Sequence, residues 1–296
     1  MLLSVNTEIF YKEYSDEESI RLIKKAGFDA FDLSLFKMKR DSECPFNKEN
    51  YRDYALHLRN IADEIGIVCN QAHAPFPSSC GDIEKDEQTF NLLVRAMEIA
   101  SIVGAKIIII HPYQHLHYID NKEALKQINL DFYKRLLPYC EKFGIKIATE
   151  NMWQKKTNNT HIIDSVCSRV DEFCEYIDMI DSEWFTACLD IGHVPLVDEQ
   201  LPRMIKGLGH NRLQALHVHD NNLSHDCHTM PFLMNINFEE VTKALAEIDY
   251  VGDFTFEAEG FFKNMPKELL FPAAKLLCET GRYLIKRIEE HKNTLA

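Results

Sequence analysis

The run Lys106-Ile107-Ile108-Ile109-Ile110 constrains this chain more than any other stretch. Consecutive side chains branched at Cβ favour an extended strand, and an apolar run without polar alternation has to be covered on both faces. A strand of that kind belongs in a parallel sheet flanked by helices, so helices and further strands must alternate along the chain. Strand-like segments occur at 2–8, 30–35, 67–73, 106–110, 145–149, 185–189, 213–216 and 254–256. Between them, Ser15-Asp16-Glu17-Glu18 caps a helix that stops at Gly27, and helical spacing predicts helices over 51–65, 82–103, 122–143, 164–180 after a polar loop, 201–208, 238–248 and 267–291. Gly66, Gly104 and Gly144 follow three of them, where a helix commonly stops.

Eight strands alternating with eight helices are the pattern of a single-domain (β/α)₈ TIM barrel over residues 1–296. A doubly wound open sheet is the alternative, but no Gly-rich phosphate fingerprint follows the first strand. Length agrees, because closed α/β barrels run to about 250 residues or more as one domain. The N-terminal residues 1–8 lack a basic region and a long apolar run, so a cytoplasmic protein without membrane association is expected. Nine cysteines occur without any Cys-x-x-Cys and read as reduced, small hydrophobes, with Cys167 and Cys174 on one helix face. A formal net charge of −13 argues against broad electrostatic binding of nucleic acid and favours small or metal-bound substrates.

Ligand-type side chains fall where strands stop. His73, His111, Glu150, Asp190, His217 and Glu257 stand at the carboxyl ends of strands three to eight, and His193, Asp226 and His228 lie in the loops just beyond strands six and seven. His219 and Asp220 crowd into the same 213–228 stretch. One such residue would be an ordinary strand end. Barrel closure, however, brings all six ends around one mouth, and mixed imidazole and carboxylate donors suit zinc, manganese or iron better than magnesium or calcium. The expected cofactor is a divalent metal, zinc or manganese.

The motifs His73-Ala-Pro-Phe76, Ile110-His111-Pro112, Thr149-Glu150-Asn151, Leu189-Asp190-Ile-Gly-His193, Leu216-His217-Val-His-Asp220, Asp226-Cys-His228 and Phe256-Glu257 resemble the xylose-isomerase-like, or apurinic-endonuclease family-2, TIM-barrel superfamily. In its ketose-epimerase branch, the resemblance implies one manganese-like ion on Glu150, Asp190, His217 and Glu257. The two glutamates move the proton through a metal-stabilised enediolate, and His193 steadies a substrate oxygen. Trp153 or Phe76 would stack on the sugar. In the type-IV apurinic endonuclease branch, it implies three zinc ions: one on His73, His111 and Glu150, a second on Glu150, Asp190, His217 and Glu257, and a third on His193, Asp226 and His228. The first branch makes the chain an isomerase or epimerase of a small carbohydrate, with a homo-oligomer admitted. The second makes it a multi-zinc phosphodiesterase, and a non-catalytic metal-binding barrel is the third alternative.

The run Leu35-Phe36-Lys37-Met38-Lys39-Arg40 could meet a phosphate, and a sugar phosphate would reconcile it with isomerase chemistry. Two departures from the relatives stand out. Phe232-Leu-Met-Asn235 follows Pro231 in place of a Pro-Gly-x-Gly turn, and Asn221 and Asn222 occupy the region where ketose epimerases carry an arginine.

Overall fold

Each expected apolar run becomes a parallel strand. The computed structural model describes residues 1–156 and 161–295. Its barrel strands are β1 (Leu3–Asn6), β2 (Ala30–Ser34), β3 (Val68–His73), β4 (Ile107–Ile109), β5 (Lys146–Glu150), β6 (Phe185–Asp190), β7 (Leu213–His217) and β8 (Phe254–Phe256). Ladders join them in the order β8-β1-β2-β3-β4-β5-β6-β7. The ring closes through a parallel bridge between Val218 and Phe256, where Val218 N donates to Thr255 O at 2.9 Å and Glu257 N donates to Val218 O at 3.2 Å.

Parallel neighbours need crossover connections, and helices supply them. They are α1 (Asp16–Ala26), α2 (Tyr51–Ile65), α3 (Ile83–Val103), α4 (Tyr118–Phe143), α5 (Val170–Ile180), α6 (Leu201–Arg212), α7 (Phe238–Glu247) and α8 (Lys267–Leu295). The Ser15 capping box opens α1 as expected. Gly104 closes α3 at φ 111°, a left-handed conformation in which its N–H still reaches the Ala100 and Ser101 carbonyls.

The expected helix over 164–180 is shorter than its periodicity implied. Ile162–Asp164 instead pairs antiparallel with Trp153–Lys155, and α5 begins only at Val170. Arg169 clamps this junction through Nε and Nη2 on the Asp164 carboxylate at 3.0 and 2.7 Å. Cys167 therefore lies in the turn before α5 and does not share a helix face with Cys174; both thiols are free. The polar loop expected here lies partly outside the described residues. Elsewhere, β1 gives way after Asn6 to a 3-10 turn at Thr7–Ile9, α4 starts early at Tyr118 with a break at Asn121, and α6 continues past Leu208 across Gly209.

The main core fills the space between strands and helices. Inside the barrel, Ile109, Ala148, Cys188 and Ala215 form a small apolar plug. A polar chain occupies the other side: Ser4 Oγ donates to Asn70 Oδ1 at 2.7 Å, Asn70 Nδ2 to Thr255 Oγ1 at 3.1 Å, Thr255 Oγ1 to Gln71 Oε1 at 3.3 Å, and Gln71 Nε2 to Asp32 Oδ2 at 3.1 Å. That chain leads from the barrel floor to the site. Among the described residues no helix is long and apolar enough to cross a membrane.

Candidate metal centre and active site

All nine expected residues gather at the carboxyl ends of the strands. Donor atoms of Glu150, Asp190, His217 and Glu257 lie within 4.8 Å of one another, close enough to share one ion. The same holds for His73, His111 and Glu150, and for His193, His219, Asp226 and His228. His219 is the addition. Its ring stacks on His228 with centroids 4.0 Å apart, and its Nε2 lies 3.0 Å from Asp190 Oδ1. Asp220 turns away from the site, accepting from the backbone N–H groups of Asn221, Met234 and Ile236 to hold the loop.

Local contacts aim the imidazoles. His73 Nδ1 bonds to Ala74 O at 2.9 Å, His193 Nδ1 to Asn151 O at 2.8 Å and His228 Nδ1 to Glu257 O at 3.1 Å. A carbonyl accepts only from N–H, so each bond places the proton on Nδ1 and leaves the Nε2 lone pair facing the site. Asn151 ties β5 to β6 by exchanging two hydrogen bonds with the Asp190 backbone, at 3.0 and 2.8 Å. Gly192 admits the His219 ring where a Cβ would overlap it, and Gly260 lets the chain after β8 lie on the Cys227 and His228 carbonyls.

Charge balance decides whether the donors fit an ion. Glu150, Asp190 and Glu257 are buried, Asp226 is mostly so, and among the described residues no lysine or arginine pairs with any of them. Burial opposes ionisation of Glu150, but the imidazoles of His217 and His111 hold it well below the usual carboxylate range. Burial likewise opposes ionisation of Asp226, which His228 and His193 hold well below its usual range. For Glu257 burial dominates and pushes the carboxyl up, with His217 and His228 offsetting part of it. Burial disfavours the His193 cation, yet Asp190 and Asp226 raise it to about 10. Buried carboxylates of this density require positive charge, supplied by protonated imidazoles or by a divalent cation that displaces those protons. The donor set fits such an ion.

A cavity of about 800 Å³ opens over these groups. Trp153 lines it, with Nε1 3.3 Å from Asp226 Oδ2. Phe76 packs on His111 and on Phe36, with centroids 5.1 and 4.7 Å away. Both aromatics line the cavity beside the ligand-type residues. The basic run does not form a cluster: Lys37 pairs with Asp16 at 2.9 Å, Lys39 donates to Pro77 O, and Arg40 alone of the three lines the cavity.

Sequence reasoning missed Glu8, Asp32 and Glu259. Glu8 stands at the end of the segment read as the first strand, so the rule that found the other strand ends applied to it as well. Burial pushes its carboxyl up. Glu259 follows Glu257 by two residues and lies 3.4 Å from His228 Nδ1. Asp32, inside β2, sits 3.4 Å from His217 Nε2, and nothing in the local sequence distinguishes it from an outward-facing polar residue.

The sequence model of the xylose isomerase-like TIM barrel family matches residues 20–275. The chain belongs to this family. Among its curated relatives, L-ribulose-5-phosphate 3-epimerase of Escherichia coli is 24% identical over 247 residues, covering 81% of each chain. Among solved structures, a D-tagatose 3-epimerase-like protein superposes over 100% of both chains with a TM-score of 0.75 at 21% identity. An IolI protein with a bound zinc atom also gives 0.75, at 15% identity over 98% of this chain and 99% of its own. At these identities the structural likeness establishes the family's barrel.

Proposed function

We propose that the chain is a metal-dependent sugar epimerase or isomerase that moves a proton on a carbon beside a sugar carbonyl. The observation that carries this reading is the pairing of Glu150 and Glu257, which come from β5 and β8 and meet the same His217 Nδ1 at 3.1 and 3.2 Å. Two carboxylates thus flank one locus. Epimerases among the relatives support the same reading. Glu150, Asp190, His217 and Glu257 would hold the ion, zinc or manganese by their mixed donors. Such an ion supplies Lewis acidity to a carbonyl and its neighbouring hydroxyl.

Glu150 and Glu257 approach a bound carbon from different sides, so one removes the proton and the other returns it. His193, Asp226 and His228 orient substrate oxygens, and Trp153 and Phe76 cover the apolar sugar face and exclude water. The test is exchange of a substrate C–H proton with deuterated solvent across ketoses, aldoses and inososes. Glu150→Gln and Glu257→Gln should each lower net turnover by about 100-fold or more in protein that still carries metal. A multi-ion phosphodiesterase is the second reading, favoured by several neighbouring ligand groups. A wild-type protein that cleaves an abasic duplex and exchanges no sugar proton would put it in place of the first.

A further inference from the structure

Free and phosphorylated sugars present the same carbonyl to Glu150 and Glu257, so the wall around the substrate's other end has to tell them apart. In a (β/α)₈ barrel a phosphate often settles at the start of a short extra helix after the last strands, and a basic loop is the other common seat. Here both places hold carboxylates of the chain itself. After β8, the short helix Glu259–Phe262 opens on Glu259, whose carboxylate lies 3.4 Å from His228 Nδ1.

After β2, Arg40 Nη1 lies 3.3 Å from Glu8 Oε2, and its guanidinium stacks over Phe36 and Phe76 at 4.9 and 5.5 Å. Glu8 is only 4% exposed and accepts a second hydrogen bond from Ser34 Oγ at 2.7 Å, so it is fixed in place. A dianion seated on Arg40 would press against this buried carboxylate, where the low dielectric magnifies repulsion. Lys12, Lys155 and Lys263 also line the cavity but are exposed, and solvent screening leaves such contacts weak.

We infer that the site is built for an unphosphorylated polyhydroxy ketone and rejects the same sugar carrying a terminal phosphate. Glu8 on the Arg40 side of the cavity, and Glu259 beside His228, accept hydrogen bonds from substrate hydroxyls. A hydroxyl donates to a carboxylate, whereas a phosphate dianion has no proton to give. The inference rests on the epimerase reading of this site and names its substrate class.

Two measurements on the full-length, metal-loaded protein test it. Turnover of free ketopentoses and ketohexoses is compared with turnover of their terminal phosphates, and calorimetry compares xylitol with xylitol 5-phosphate, which undergo no chemistry. The free compounds should be favoured by about 100-fold in kcat/KM and clearly in affinity. Glu8→Gln should raise the phosphate-to-free ratio about tenfold, because it removes a buried like charge, and Glu259→Gln should shift it the same way. The wild-type ratio decides the matter even if a variant fails to fold. A preference for the phosphate in either measurement, or binding of neither polyol, overturns the inference. Exchange with a phosphate preference leaves the epimerase reading standing, whereas polyol binding without any sugar exchange removes that reading and leaves the charge discrimination intact.

Discussion

Asp32→Asn tests whether the centre depends on a residue that no ion touches. Asp32 and His217 are fully buried, and Asp32 Oδ2 lies 3.4 Å from His217 Nε2 while accepting from Gln71 Nε2 at 3.1 Å. His217 presents Nδ1 to Glu150 and Glu257, so ligation through Nδ1 needs the proton on Nε2. A carboxylate facing Nε2 fixes that tautomer and the ring's orientation. The asparagine keeps the size and an acceptor for Gln71 but removes the charge. Removing the buried carboxylate charge that faces this imidazole nitrogen costs about 1–3 kcal/mol, which corresponds to a loss of roughly 10- to 100-fold in metal affinity. Competition of zinc or manganese against a chromophoric chelator reads this directly, with circular dichroism to verify folding. Repeating the substitution in a His217→Ala background isolates the cause, since an effect transmitted through His217 disappears there and a loss of bare charge persists. Unchanged affinity in Asp32→Asn, or the same drop in both backgrounds, refutes the reasoning.

His228→Ala should keep one ion per chain by elemental analysis while raising the KM for sugar about tenfold, as expected for a substrate contact; partial metal loss would favour several ions. Gly192→Ala forces a Cβ into the His219 ring and should destabilise the fold by about 1–3 kcal/mol in a denaturant titration, loosening Asp190 as well. Arg282 bridges α8 to Asp29, with two contacts of 2.6 and 2.7 Å and a third to Gly27 O. The pair is part-exposed, so Arg282→Ala should cost only about 1 kcal/mol. Arg282 holds the Asp29 carboxyl below its usual value. The stability difference between wild type and variant should therefore be complete above the ordinary aspartate range and vanish as pH falls through the depressed value. A difference that grows on acidification would contradict this assignment.

The isoleucine run of β4 and the alternation around it determined the barrel, because a strand covered on both faces has few homes and parallel neighbours need helices between them. The same logic made His73, His111, Glu150, Asp190, His217 and Glu257 legible: once strands are ordered around a ring, the residue at each carboxyl end faces the mouth. Local spacing also placed the loop residues His193, Asp226 and His228 near that mouth. It misjudged 164–169, which a helical reading included but which end a hairpin and form a turn; short periodic stretches do not reveal whether a partner strand is at hand.

Only the tertiary structure decided the rest. Lys37, Lys39 and Arg40 are neighbours in sequence, yet they face Asp16, the Pro77 carbonyl and Glu8 in turn, and that dispersal dissolves an apparent phosphate loop. Asp32 and His217 lie 185 positions apart and meet across the barrel interior. Periodicity tells a chain which face of an element is covered, because burial of apolar surface repeats with the backbone. It carries no record of which charge from a distant segment fills the space opposite, since one electrostatic contact depends on where two backbones end up after the whole ring has closed.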